Sequence, residues 1–313
     1  MTTQPLSEHV RGNGSSPSHD YGPAGRSEWL DIDWRRHQRW VSVDGQAVNT
    51  IELGEGDGQP IVFVHGLSGS WPNWLEQLPV FARSHRVLAL DLPGFGHSPM
   101  PSGEVSMAAY ARLLDGLLAA RGIDAAVVVG NSMGGFIAAE LAIAYPQRVE
   151  RLVLVSAAGI STYGTPQQVR AAGALRRLQT VLAGTTAWAA ARSDTLTRRP
   201  RMREAMLKLV VRYPARLPAA LAAEQVRGAG TPGFFDALQA ILDYDVRERL
   251  AEIACPTLIV WGERDKLISV RDADVFAELI PNSRKVTYED TGHMAMLERP
   301  QAFNSLLAGF LAE

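Results

Sequence analysis

The chain has 313 residues, 46% apolar and 20% charged, which is ordinary for a soluble globular protein and enough for one large core or two modest ones. A formal net charge of −2 excludes a global field suited to nucleic acid or an anionic membrane, and a single cysteine, Cys255, excludes an internal disulfide. Cys255 lies in an apolar run, residues 253–260, where a buried, inert thiol is expected, with no metal site.

Residues 1–28 are rich in Ser, Gly, Pro, His and Asn and lack the apolar core of a signal peptide, so a flexible tail and cytoplasmic residence are expected. No run approaches the ~18 apolar residues that a membrane span needs. Two strand-like runs, residues 40–43 and 47–53, flank Asp44-Gly45, a dipeptide suited to the positive φ angles of a tight hairpin. Short apolar runs at 61–64, 87–90, 125–129, 152–155 and 258–261 follow, with a more polar one at 285–288 and helical patterns between them. Strands this apolar have no wet face, which predicts a doubly wound α/β fold with helices on both sides of a mostly parallel sheet.

Between about 159 and 240 the strand signals stop, and helical patterns broken by Pro166, Pro200, Pro214, Pro218 and Pro232 take over. The spacing predicts a helical cap inserted over the carboxyl ends of the strands, where open α/β sheets bind ligands. The core domain then comprises residues 29–158 and 241–313. The insertion carries twelve Lys/Arg against four Asp/Glu. That excess reads either as solvated helix faces or as a surface that attracts a carboxylate-bearing substrate or an acidic partner.

The chemistry begins at Gly130-Asn131-Ser132-Met133-Gly134, which follows one apolar run and opens a helix expected to reach Tyr145. A strand–turn–helix this sharp exposes the central serine as a nucleophile, and the elbow glycines Gly130 and Gly134 remove the side chains that would collide. A serine hydroxyl is a poor nucleophile without a positioned base. His293, before the last helix, is the best placed. His9, His19 and His37 lie in or near the tail, His85 precedes a strand, His97 sits in a structural loop, and His65 suits a supporting hydrogen bond. Asp265 is the expected acid that orients the imidazole, because the chain order Ser, acid, His favours it over Glu263, Asp243 and Asp245. Leu67, in the Gly-rich segment after the 61–64 run, and Met133 would supply the two backbone amides of an oxyanion hole. Trp71 and Trp74 are expected to pack, and the segment 91–98, Asp-Leu-Pro-Gly-Phe-Gly-His-Ser, to be a shaped loop.

His65-Gly66, Asp91-Leu92-Pro93-Gly94-Phe95-Gly96, the serine elbow, Gly262-Glu263-Arg264-Asp265 and Gly292-His293 together resemble the α/β-hydrolase superfamily over about residues 40–311. The resemblance implies an eight-stranded α/β-hydrolase fold and a cofactor-independent, esterase-like serine hydrolase. Such an enzyme cleaves an ester or similarly activated carbonyl of a small, partly apolar substrate through an acyl-enzyme. The elbow and the sequence around Phe303 also resemble the carbon–carbon hydrolases of aromatic ring-cleavage pathways, which hold a substrate carboxylate with a cap arginine. The chain departs from that subgroup at Leu67-Ser68 and at Met294. Carbon–carbon hydrolysis, cofactor-free perhydrolase or haloperoxidase chemistry, and a non-catalytic binding role stand as alternatives. Ser132, where haloalkane dehalogenases and epoxide hydrolases carry aspartate, argues against those two activities.

Overall fold

The structure, a computed structural model, describes residues 7–10, 21–162 and 179–313, without the side chains of 7–10 and 179–184. Its strands are β1 (Ser7–Val10), β2 (Gln38–Val43), β3 (Gln46–Leu53), β4 (Gly58–Val64), β5 (His85–Leu90), β6 (Ala126–Asn131), β7 (Val149–Val155), β8 (Thr257–Gly262) and β9 (Ser283–Tyr288). They form one sheet in the order β1-β9-β8-β7-β6-β4-β5-β3-β2. The pairings β2–β3 and β3–β5 are antiparallel and the others parallel. The eight expected strands are β2 to β9. To these Ser7–Val10 adds a ninth, pairing in parallel with β9, a short edge that no apolar run in the sequence announces.

Alternation within the strands explains the layers. Ile61 and Phe63 of β4, with Val127 and Val129 of β6, contribute to one apolar cluster, while Val62, Val64 and Val128 contribute to the other. Successive side chains of a strand point to opposite faces, so a continuous apolar run means burial on both. Helices Met107–Ala120 and Met133–Ala144 cover one face, and helix Pro300–Ala312 covers the other, where its Phe303 and Leu307 pack with Phe63 and Trp74. Ser106 caps the first of these helices by accepting from Ala109 N at 3.1 Å.

The expected tail falls largely outside the described residues, but within 21–28 the chain is anchored at Tyr21, Gly22 and Ser27, with residues 24–26 and Glu28 exposed. Tyr21 is buried against the core, and Ser27 donates to Glu76 at 2.7 Å. The expectation of a flexible tail rests on composition, which does not register that Tyr21 has a pocket to fill.

Between β7 and β8 lie helices Gln179–Ala191, Ser193–Thr197, Pro200–Leu207, Ala219–Arg227 and Phe234–Leu242. The part of the expected insertion at 163–178, with Pro166, lies outside the described residues. Pro200 occupies the first helical turn, where a missing N–H costs nothing. The insertion's positive charge is partly consumed within it. Arg203 donates to the carbonyls of Pro214 and Ala215 at 3.2 and 2.7 Å, and Arg227 pairs with Asp194 at 2.6 Å.

Candidate active site

Strand β6 ends at Asn131 and the next helix begins at Met133, so Ser132 must reverse the chain alone. It does so at φ +55° and ψ −118°, a region that costs an L-residue about 1–3 kcal/mol and persists only where its surroundings over-determine it. They do. Ser132 N donates to Val155 O at 2.9 Å, and Ser132 O accepts from Phe136 N and Ala158 N at 3.1 and 3.0 Å. The turn leaves no room beside it. A Cβ on Gly130 would stand 2.2 Å from Gly134 O, and one on Gly134 would stand 2.2 Å from Val64 O.

The loop after β4 is set by His65. Leu92 N donates to His65 Nε2 at 3.0 Å, so the ring hydrogen sits on Nδ1, which donates to Gly66 O at 2.8 Å. Burial pushes the His65 imidazole below its ordinary pKa, against the opposing pull of Asp91. The ring is therefore a neutral brace. Gly69 N also donates to Gly66 O, at 3.0 Å. With that carbonyl held to one side, a trans peptide turns the Leu67 N–H to the other. Gly66 itself lies against the serine, since a Cβ there would be 3.0 Å from Ser132 Cβ. The Met133 N–H is the first of its helix and has no intrahelical acceptor.

Asp265 Oδ2 lies 2.7 Å from His293 Nδ1, and its Oδ1 accepts from Leu267 N and Ile268 N at 2.8 and 3.0 Å. Both side chains are almost wholly buried. The pair meets because β8 runs hard against the histidine loop: a Cβ on Gly262 would fall 2.1 Å from Gly292 O. Asn131 joins this pair to the elbow, its Nδ2 donating to Val155 O at 3.1 Å and to His293 O at 3.4 Å.

Ser132, Leu67, Asp265 and His293 line one cavity of about 900 Å³. Met206, Leu207, Leu209 and Val210 of the insertion and Phe234, Leu238, Ile241 and Leu242 make most of it apolar, and Asn73 and Gln225 add a hydrogen-bonded amide pair at 2.6 Å. Among the described lining residues the ionisable side chains are Asp265, His293 and Lys266, and there is no arginine. The rival groups are engaged elsewhere: His37 and His85 with backbone carbonyls, Asp243 with Gln239 and Asp245 with the Arg247 amide. Trp71 packs at a tilt against Trp34 with ring centroids 4.9 Å apart, and Trp74 packs on Phe63 at 5.0 Å.

Three supports carry roles that no motif assigns to them. Asn131 was only a spacer within the elbow, and Asp91 turns out to hold three donors, Asn49 Nδ2, Trp71 N and His97 N, at 2.8, 2.8 and 2.9 Å. Glu298, the third, is fully buried among hydrogen-bond donors. A buried carboxylate leaves no trace in local periodicity. The only signal available was its place five residues after His293.

The family model described as "alpha/beta hydrolase fold" matches residues 59–300. The chain is 32% identical over 272 residues to the dihydrolipoyllysine-residue acetyltransferase component of the acetoin cleaving system of Cupriavidus necator, covering 86% of this chain and 67% of that one. It is 29% identical to the 2-hydroxymuconate semialdehyde hydrolase of Pseudomonas putida, covering 83% of this chain and 89% of the relative. Among solved structures, the enol-lactonase from Burkholderia xenovorans LB400 superposes with a TM-score of 0.71 at 26% identity, covering 88% of this chain and all of that one, 100%.

Proposed function

We propose, from the premise that the chain belongs to the alpha/beta hydrolase fold family, that it is a serine hydrolase cleaving an ester or similarly activated carbonyl of a small, partly apolar substrate. The observation that carries this reading is the Asp265–His293 pair at 2.7 Å, opening onto the same cavity as the strained Ser132. In this scheme Asp265 holds the imidazole in the tautomer whose Nε2 is free to accept a proton. His293 takes the Ser132 proton as the hydroxyl attacks, and the Leu67 and Met133 amides receive the oxyanion. His293 then passes its proton to the leaving group, and water activated by the same imidazole releases the acyl group.

The inserted helices act as a cap, and their Leu, Met and Val side chains favour an apolar acyl or alcohol portion. A carboxylate on the substrate would be met by Lys266, since the cap arginines among the described residues do not reach the cavity lining. A short-chain p-nitrophenyl ester, assayed with wild type and with Ser132→Ala, tests the scheme. Turnover by the wild type and its loss in the variant is the expected result, and equal rates would end the assignment.

A second reading, hydrolysis of a carbon–carbon bond in a ring-cleavage dienone, has in its favour the likeness to the 2-hydroxymuconate semialdehyde hydrolase. Loss of the dienone's visible absorbance on incubation with the protein, with no release of p-nitrophenolate from p-nitrophenyl esters, would select it.

A further inference from the structure

One buried carboxylate gathers donors from three separate parts of the chain. Glu298 Oε2 accepts from Tyr21 OH at 2.7 Å, from Arg212 N at 2.8 Å and from Gly292 N at 2.9 Å, while Oε1 accepts from Met294 N at 3.2 Å. Two of those amides are the immediate neighbours of His293. The third belongs to the insertion, two residues beyond Val210, where the cavity-lining stretch that starts at Met206 ends, and the hydroxyl belongs to the N-terminal segment ahead of the family match at 59–300.

The histidine's own main chain is tied to the insertion and to the elbow. His293 N donates to Val210 O at 3.1 Å, and His293 O accepts from Asn131 at 3.4 Å. Tyr21 closes the circuit. Its hydroxyl also accepts from Tyr213 N at 2.8 Å, its ring meets Tyr213 edge-on at 5.4 Å, and Gly22 N donates to Glu298 O at 2.8 Å. The Arg299 guanidinium covers the Tyr21 ring at 5.3 Å, and Asp290 takes Tyr213 OH and Arg212 Nε at 2.6 and 3.2 Å. Burial, and next the Glu298 charge, push the Tyr21 phenol far above its ordinary value, so it remains a donor.

We infer that Glu298, latched by Tyr21, is a positioning residue that makes the placement of His293 and of the insertion segment 210–213 a single variable. The inference rests on reading His293 as the base. A carboxylate is the side chain suited to the task because it is acceptor-only, so all its donors converge without conflict. Buried charge-assisted hydrogen bonds of this kind are roughly twice as strong as neutral ones. An imidazole displaced by about 1 Å can lose about a hundredfold in rate, so holding both of its flanking amides bears directly on turnover.

Two variants test it, Glu298→Gln and Tyr21→Phe. The glutamine places an NH₂ where donors already converge, and the phenylalanine keeps the ring while deleting the hydroxyl. With active sites counted by a fluorophosphonate probe on Ser132, kcat per titrated site is expected to fall about tenfold in Glu298→Gln and severalfold in Tyr21→Phe. Hydrogen exchange is expected to quicken together in residues 206–213 and 291–297 of Tyr21→Phe, although neither segment contains the substitution. A lower melting temperature with unchanged kcat per titrated site and exchange altered only near residue 21 would overturn the inference. If the wild type does not take the probe, the reading of Ser132 and His293 falls, and the exchange comparison still decides whether the two segments are coupled. Should Glu298→Gln not fold, Tyr21→Phe carries both measurements.

Discussion

Asp265 and His293 meet through Oδ2 and Nδ1 at 2.7 Å, and the remaining Asp265 oxygen is held by two amides of its own loop. The carboxylate therefore has one orientation, and through it the imidazole has one tautomer. Asp265→Asn preserves the shape, but its NH₂ group cannot accept from Nδ1–H. The expected outcome is a fall in kcat of about 10³–10⁴-fold with little change in KM. Steady-state kinetics with a p-nitrophenyl ester check it, and a loss below tenfold would place the orienting charge elsewhere.

His65 braces the loop that carries Leu67, with one ring nitrogen on Leu92 N and the other on Gly66 O. His65→Ala is expected to free the Gly66 carbonyl to rotate and to turn the Leu67 amide away from the proposed oxyanion position. Losing one such donor costs about 10²–10³-fold in kcat. The rate of covalent labelling of Ser132 by a fluorophosphonate is expected to fall in parallel. Wild-type labelling in the variant would remove the loop from the chemistry.

Gly134 lies where a Cβ would approach Val64 O to 2.2 Å and His65 O to 2.5 Å. Both contacts are backbone, at the end of β4 and in the residue just after it, and cannot swing away. Gly134→Ala is expected to destabilise the protein by about 1–3 kcal/mol or more, despite alanine's better helix propensity of up to ~1 kcal/mol. Urea unfolding at constant m-value measures it, and a stabilised variant would show that the elbow has slack.

Lys266 is the cation that lines the cavity among the described residues, and among them it has no ion-pair partner. Lys266→Met is expected to raise KM severalfold for an ester bearing a free carboxylate and to leave the KM of its neutral counterpart unchanged. Equal effects on the two esters would assign Lys266 to general packing or solvation.

Burial raises the Glu298 pKa above the ordinary glutamate value of 4.5, in spite of hydrogen bonds from Gly292, Arg212, Tyr21 and Met294 that lower it. The native state thus binds this proton at a pH where the unfolded chain has already released it. By linkage, the contribution of Glu298 to stability is fully present below pH about 4.5 and is lost as pH rises through the raised native value. The stability difference between wild type and Glu298→Gln should therefore shift against the wild type as pH rises from acid to neutral. Denaturant unfolding of the pair at several pH values reads this directly, and a gap that moves the other way would mean the donors outweigh burial.

Much of the sheet was legible because its signal is local. Runs such as 61–64 and 152–155 lie within observed β4 and β7, differing only at the ends, where Gly58 to Pro60 and Val149 to Arg151 lack the continuous apolar character of the buried centre. The edge strand β1 was invisible, because an edge needs backbone partners rather than a particular composition. The packed stretch around Tyr21 was missed for a related reason, since its partners Glu298 and Tyr213 lie 277 and 192 residues away.

By itself the sequence determined the sharp strand–helix turn at Ser132, because such a turn demands glycines at fixed offsets, and it offered Ser132, Asp265 and His293 in the chain order that the proposed chemistry needs. It also determined that the strands would be covered on both faces. Only the tertiary structure decided that Asp265, rather than Glu263, Asp243 or Asp245, meets the imidazole, and that Arg203, Arg212 and Arg227 of the insertion turn to carbonyls and carboxylates of their own surroundings instead of the cavity. It alone placed Asn131, Asp91 and Glu298 as supports. Hydrogen bonds that join distant segments depend on where the backbone brings donors and acceptors together in three dimensions, and no local pattern of residue types records that distance.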